Sequence, residues 1–145
     1  MKKIICLIVV ALMVASVAFA AAKAKRITAQ DLPSLKGIWV GSLEFGDMGA
    51  QLGNSACTLE ILNDTVPVKG KLTVSNVPDP VAQYLGLTAG KNEFGLDDGQ
   101  ITSQGSILWI SPEKNVFELS MGREKYLDAT YWYREIKGTA LLKKK

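Results

Sequence analysis

Histidine is absent from all 145 residues of this chain. Its absence removes Ser-His and Cys-His nucleophile activation, imidazole acid–base catalysis and His-based zinc sites. Cys57 lies in the alternating run Ala56-Cys57-Thr58-Leu59-Glu60-Ile61, on the face of Leu59 and Ile61. That setting predicts a buried, inert thiol. Glu93, Asp97 and Asp98 gather around a glycine-containing turn, but without the ordered oxygen spacing of a Ca²⁺ loop. The remaining acids are scattered, with no pair set for glycoside hydrolysis. The stretch 46–53 carries three glycines but neither the lysine nor the Ser/Thr of a phosphate loop. These residues predict no catalytic group, no metal and no cofactor, and so a protein that is not an enzyme.

The residues that remain as candidates for recognition are aromatic. In Tyr126 to Arg134, alternation puts Tyr126, Asp128, Thr130 and Trp132 on one face and Leu127, Ala129, Tyr131 and Tyr133 on the other. Both faces are aromatic, and one core needs only one of them. Tyr and Trp combine apolar area with a polar handle, which suits a binding surface. With Leu43 and Phe45 from an earlier strand, Tyr126, Tyr131, Trp132 and Tyr133 form the expected ligand-binding set.

The elements that must position these side chains are strands. From Gly37 the apolar period is two: Trp39, Gly41, Leu43 and Phe45 share a face, and Val68, Leu72 and Val74 do the same after a turn at Asn63-Asp64-Thr65. Strands are expected at Ile38–Phe45, Ser55–Leu62, Val66–Val74, Ile107–Ile110, Val116–Met121, Tyr126–Arg134 and Thr139–Leu142. Asn92–Leu96 and Gln100–Ser103 read as a hairpin about Asp98-Gly99. Val81 to Leu87 fits a strand or a short helix equally. Eight or nine short strands at regular spacing predict an all-β sandwich or antiparallel up-and-down barrel. Their charged faces and shortness argue against a membrane-spanning barrel.

Ahead of the strands, Met1-Lys2-Lys3 precedes an apolar run from Ile4 to Phe19 and the small-residue end Ala18-Phe19-Ala20. This is the three-part pattern of a secretory signal peptide, residues 1–20, cut after Ala20. At about 16 residues the run falls short of the ~20 that a spanning helix needs, so no membrane span is expected after cleavage. The mature chain then carries only Cys57 and no intramolecular disulfide. Residues 21–36 read as a flexible leader with one helical turn capped by Thr28 and Asp31, and residues 37–145 as a single barrel domain. The full chain has 17 basic and 14 acidic residues. Losing Lys2 and Lys3 brings the net charge to about +1, too even to capture nucleic acid.

Leu35-Lys36-Gly37-Ile38-Trp39 opens the first strand. A glycine two before a tryptophan at this place resembles the G-x-W signature of the lipocalin and calycin superfamily. The resemblance implies a small eight-stranded barrel, with Trp39 closing one end and a late basic residue, here Arg134, packed over it. It covers about Asp31 to Leu142. The expectation that follows is a periplasmic or secreted barrel binding an apolar or amphipathic small ligand. The alternatives are a protein-binding or inhibitor module of the cell envelope, and a structural envelope protein without a ligand.

Overall fold

A computed structural model describes residues 25–46, 54–133 and 136–145. The expected signal peptide, most of the 46–53 loop and Arg134 lie outside the described residues. The chain opens with a 3₁₀ turn (Ala29–Asp31) running into helix α1 (Leu32–Leu35). The Asp31 carboxylate accepts hydrogen bonds from the Thr28 amide (2.9 Å) and hydroxyl (2.7 Å), as the capping pattern predicted. Then come β1 (Gly37–Phe45), β2 (Ser55–Ile61) and β3 (Val68–Ser75). Helix α2 (Asp79–Leu85) leads to β4 (Lys91–Ile101), β5 (Ile107–Ile110), β6 (Val116–Met121), β7 (Tyr126–Tyr133) and β8 (Ile136–Lys144). Each strand pairs antiparallel with the next and β8 returns to β1, so the eight strands close an up-and-down barrel.

Two local expectations change. The ambiguous 81–87 segment is helical: Pro80 falls in the first turn, where its missing N–H costs nothing, and Gly86 ends the helix in the left-handed conformation. The Asp98-Gly99 hairpin does not exist; Lys91 to Ile101 is one strand. The register against β3 slips there, with Val68 opposite Gly99 but Gly70 opposite Leu96. The Asp-Gly pair therefore marks a bulge, which bends the strand instead of reversing it.

Alternate residues of all eight strands turn inward and fill most of the barrel. Leu43, Leu59, Leu72, Ile107, Leu119, Leu127 and Leu142 are all buried, and Cys57 stands among them as expected. α1 joins the core at the end where β1 starts, through Leu32 and Leu35, together with Ile27. α2 does so at the other end, through Val81, Ala82 and Leu85. Among the described residues, no helix is long and apolar enough to cross a membrane.

Candidate functional site

Seven of the eight strand joints are zipped by four or more residue pairs. The eighth is not. β4 has eleven residues and β5 four, and they pair only at Gln100–Leu108 and Ile101–Ile107. From Lys91 to Asp98, β4 has no strand partner on its β5 side. Two features of the sequence hold this seam open. The bulge at Leu96–Gly99 bends β4 away, and Ser111-Pro112 stops β5. A tight turn then follows, in which the amides of Lys114 (2.9 Å) and Asn115 (3.1 Å) donate to the Ser111 carbonyl and hydroxyl respectively.

At the bulge the ladder is repaired by a side chain. The Trp109 indole donates to the Val68 carbonyl at 2.8 Å. The ring crosses so close to Gly99 that a Cβ there would sit 2.4 Å from its nitrogen. Gly99 is thus required by Trp109, and Trp109 is held at the lower edge of the seam.

Above it the seam holds a cavity of about 310 Å³. Its walls are Phe94 and Leu96 of β4, Trp109 and Ile110 of β5, Phe117 of β6 and Tyr131 of β7, with Glu93 and Glu113 also lining it. Neighbouring rings lie at centroid distances of 5.6 Å (Trp109–Phe117), 5.8 Å (Phe94–Tyr131) and 6.2 Å (Phe117–Tyr131), all tilted or edge-on. Tyr131 is only 6% exposed. Burial, with smaller contributions from Tyr133 and Glu113, pushes this phenol above its ordinary range, so it stays protonated at neutral pH. Glu93 is held by Lys71 (2.7 Å) and Lys91 (2.6 Å) on the outer surface. Their hydrogen bonds, that of Lys71 first, lower its carboxyl to about 2.

The structure divides the residues expected to bind ligand. Tyr131 lines the cavity and Tyr133 packs against it at 6.0 Å. Leu43 and Phe45 are buried core residues. Trp132 faces outward beneath Lys137, whose ammonium lies 5.6 Å from the ring. Tyr126 is at the α1 end, in a separate hollow with Leu35, Trp39 and Lys144. Phe94, Leu96, Trp109, Phe117 and Glu113 were not foreseen. A signal for them was available: the strand predicted at 107–110 is short, ends before Pro112, and carries a tryptophan on its inward face.

Trp39, expected to close one barrel end, lies against Leu35 of α1. The ring is buried and its indole donates to the Leu35 carbonyl at 2.7 Å. The basic residue over it is Lys144, 5.6 Å from the ring and donating at 2.6 Å to the Ser34 carbonyl. Arg134, the basic residue expected there, lies outside the described residues. Gly37, at φ +123°, takes a backbone conformation that a side chain would strain, which gives the glycine of the G-x-W motif its reason.

Among the described residues no group of three metal-ligating side chains comes together. Compared with protein-family models, curated proteins and solved structures, the chain has no match in any of the three. The class defined by the chain itself is a closed, eight-stranded antiparallel barrel, capped by a helix at each end and open along one seam.

Proposed function

We propose that this chain is an exported, lipocalin-like binding barrel that holds a small apolar or amphipathic molecule in the seam between β4 and β5. The observation that carries this reading is the aromatic cavity at the one weakly paired joint of an otherwise filled barrel. Its volume stands at the lower end of the ~300–1,000 Å³ range of small-molecule sites. Concave apolar walls with the Tyr131 phenol among them give both affinity and orientation. The Trp39–Lys144 closure is of the kind the lipocalin resemblance implies. No step of bond making or breaking is part of this reading, so the protein is proposed to bind and not to catalyse.

Trp109 is the reporter for a test. Envelope lipids, fatty acids and apolar dyes are titrated against the purified mature protein while tryptophan emission is recorded. The reading expects at least one saturable response that is lost in Phe117→Ala and Tyr131→Ala, variants whose folding is checked by circular dichroism. A panel that leaves the emission of Trp109 unchanged throughout overturns it.

The unpaired edge of β4 supports a second reading, recognition of a protein. Strand edges offer rows of free N–H and C=O groups, and extended segments add to them by main-chain hydrogen bonding. That would make the chain an inhibitor or adaptor of an envelope protein. Retention of one envelope protein by the mature barrel, lost when Phe94 is replaced by proline, would favour it.

A further inference from the structure

We propose that the seam cavity is selective for an organic cation, an ammonium group carried on a small apolar or aromatic body. The proposal rests on the seam being a small-molecule site, and it names the chemical class of occupant.

The lining contains two carboxylates and, among the described residues, no lysine or arginine. Glu93 already spends its charge on Lys71 and Lys91. Glu113, on the turn after β5, makes no ion pair with any described residue, and it is close enough to raise the Tyr131 phenol. Its own neighbour Lys114 does not line the cavity. A carboxylate ligand entering past Glu113 would meet a carboxylate that no described lysine or arginine pairs, so a fatty-acid anion is disfavoured there. A cation would meet the Glu113 carboxylate, the Tyr131 phenol oxygen, and the rings of Phe94, Trp109, Phe117 and Tyr131. Clustered aromatic faces with a nearby acid are the physical means by which alkylammonium groups are held.

The tryptophans give an independent comparison. Trp39 and Trp132 each carry a lysine ammonium 5.6 Å from the ring. Trp109, the third, has no cation from the described chain. It lines the cavity instead.

The experiment compares three probes on the folded mature protein. They are (3-hydroxyphenyl)trimethylammonium, its neutral isostere 3-tert-butylphenol, and octanoate, each followed by the NMR shift of the Trp109 indole proton. The expected order is cation over isostere by roughly ten-fold or more, with octanoate weakest. Glu113→Gln should weaken the cation about three-fold or more, while Glu124→Gln, at the α1 end, should change nothing. Equal or tighter binding of the isostere overturns the cation proposal and leaves the seam as a general apolar site. If none of the three moves the Trp109 proton, the seam reading falls together with it.

Discussion

Single residues set the geometry at both ends of the molecule. Trp39 is a buried aromatic with a satisfied N–H, and replacing it by alanine should cost ~3–5 kcal/mol. Lys144 above it is exposed, so its cation–π and hydrogen-bond contribution is much smaller, and Lys144→Met should cost no more than about 1 kcal/mol. Urea unfolding of the two variants separates them; equal losses would show that the closure depends on the charge. Gly99 is the second test. Its added methyl group would collide with the Trp109 indole and the Val68 carbonyl, at 2.4 and 2.7 Å. Gly99→Ala should therefore destabilise by ~1–3 kcal/mol and shift Trp109. A wild-type melting profile and emission spectrum for that variant would mean that the indole is not held at the bulge. None of this was legible around Gly99, because an Asp-Gly pair between alternating runs carries the same local signal for a tight turn as for a bulge. Only the long-range partner, Trp109, distinguishes them.

At the scale of elements, strand periodicity was a good guide wherever one face is buried. β1, β2, β3, β6 and β7 fall within a residue or two of their expected bounds, because the alternation that places Leu59 or Leu72 inside is also what fixes register. α2 was left open because Val81, Ala82 and Leu85 fit both periods, and its helical state is decided by Pro80, Gly86 and packing on the barrel end. The seam was invisible for a related reason. β5 was readable, but β4 was read as a hairpin, and the extent of pairing between the two strands is a tertiary property, set by the bulge and by Pro112. The unequal lengths have a dynamic consequence. Hydrogen bonds without a second strand behind them open more readily. Amides of β4 between Lys91 and Asp98 that do not point to β3 should exchange in minutes, while those of β7 and β8 should persist far longer. Hydrogen-exchange mass spectrometry resolving the two segments would contradict the open seam if it found equal protection.

For the whole molecule, the core explains stability without disulfides: the described barrel is filled by aliphatic and aromatic side chains, and Cys57 contributes only packing. Burial pushes the Cys57 thiol up to about 12, in keeping with the inert role its strand position predicted. Charge enters stability through two surface carboxylates. Asp31, hydrogen-bonded by Thr28 and Lys25, and Glu93, bridged by Lys71 and Lys91, are both lowered to about 2. Their unfolded values are ~3.9 and ~4.3. A lowered folded value means stability fully present above those figures and lost as the pH falls toward 2. The melting temperature should therefore drop between about pH 4 and pH 2, and the drop should be smaller in the double variant Asp31→Asn, Glu93→Gln. An unchanged acid limb in that variant would remove both carboxylates from the account.

A ligand-binding barrel was expected from the sequence, and the structure scatters the residues named for its site. Tyr131 and Tyr133 stand together at or beside the cavity, while Leu43, Phe45, Tyr126 and Trp132 are divided between the core, the far end and the outer surface. Alternation gives the face of a side chain and not its height along the barrel or its distance from a gap in the wall. Everything therefore turns on whether the seam admits a ligand. The most direct measurement is a two-dimensional ¹H–¹⁵N titration of the mature protein with 3-tert-butylphenol and with (3-hydroxyphenyl)trimethylammonium, observing all three indole N–H groups at once. The predicted result is a saturable shift of Trp109, with the amides of Phe94 and Phe117, while Trp39 and Trp132 stay in place. Shifts centred on Trp39 and the α1 end, or none at Trp109 with either compound, would contradict the seam as the binding site.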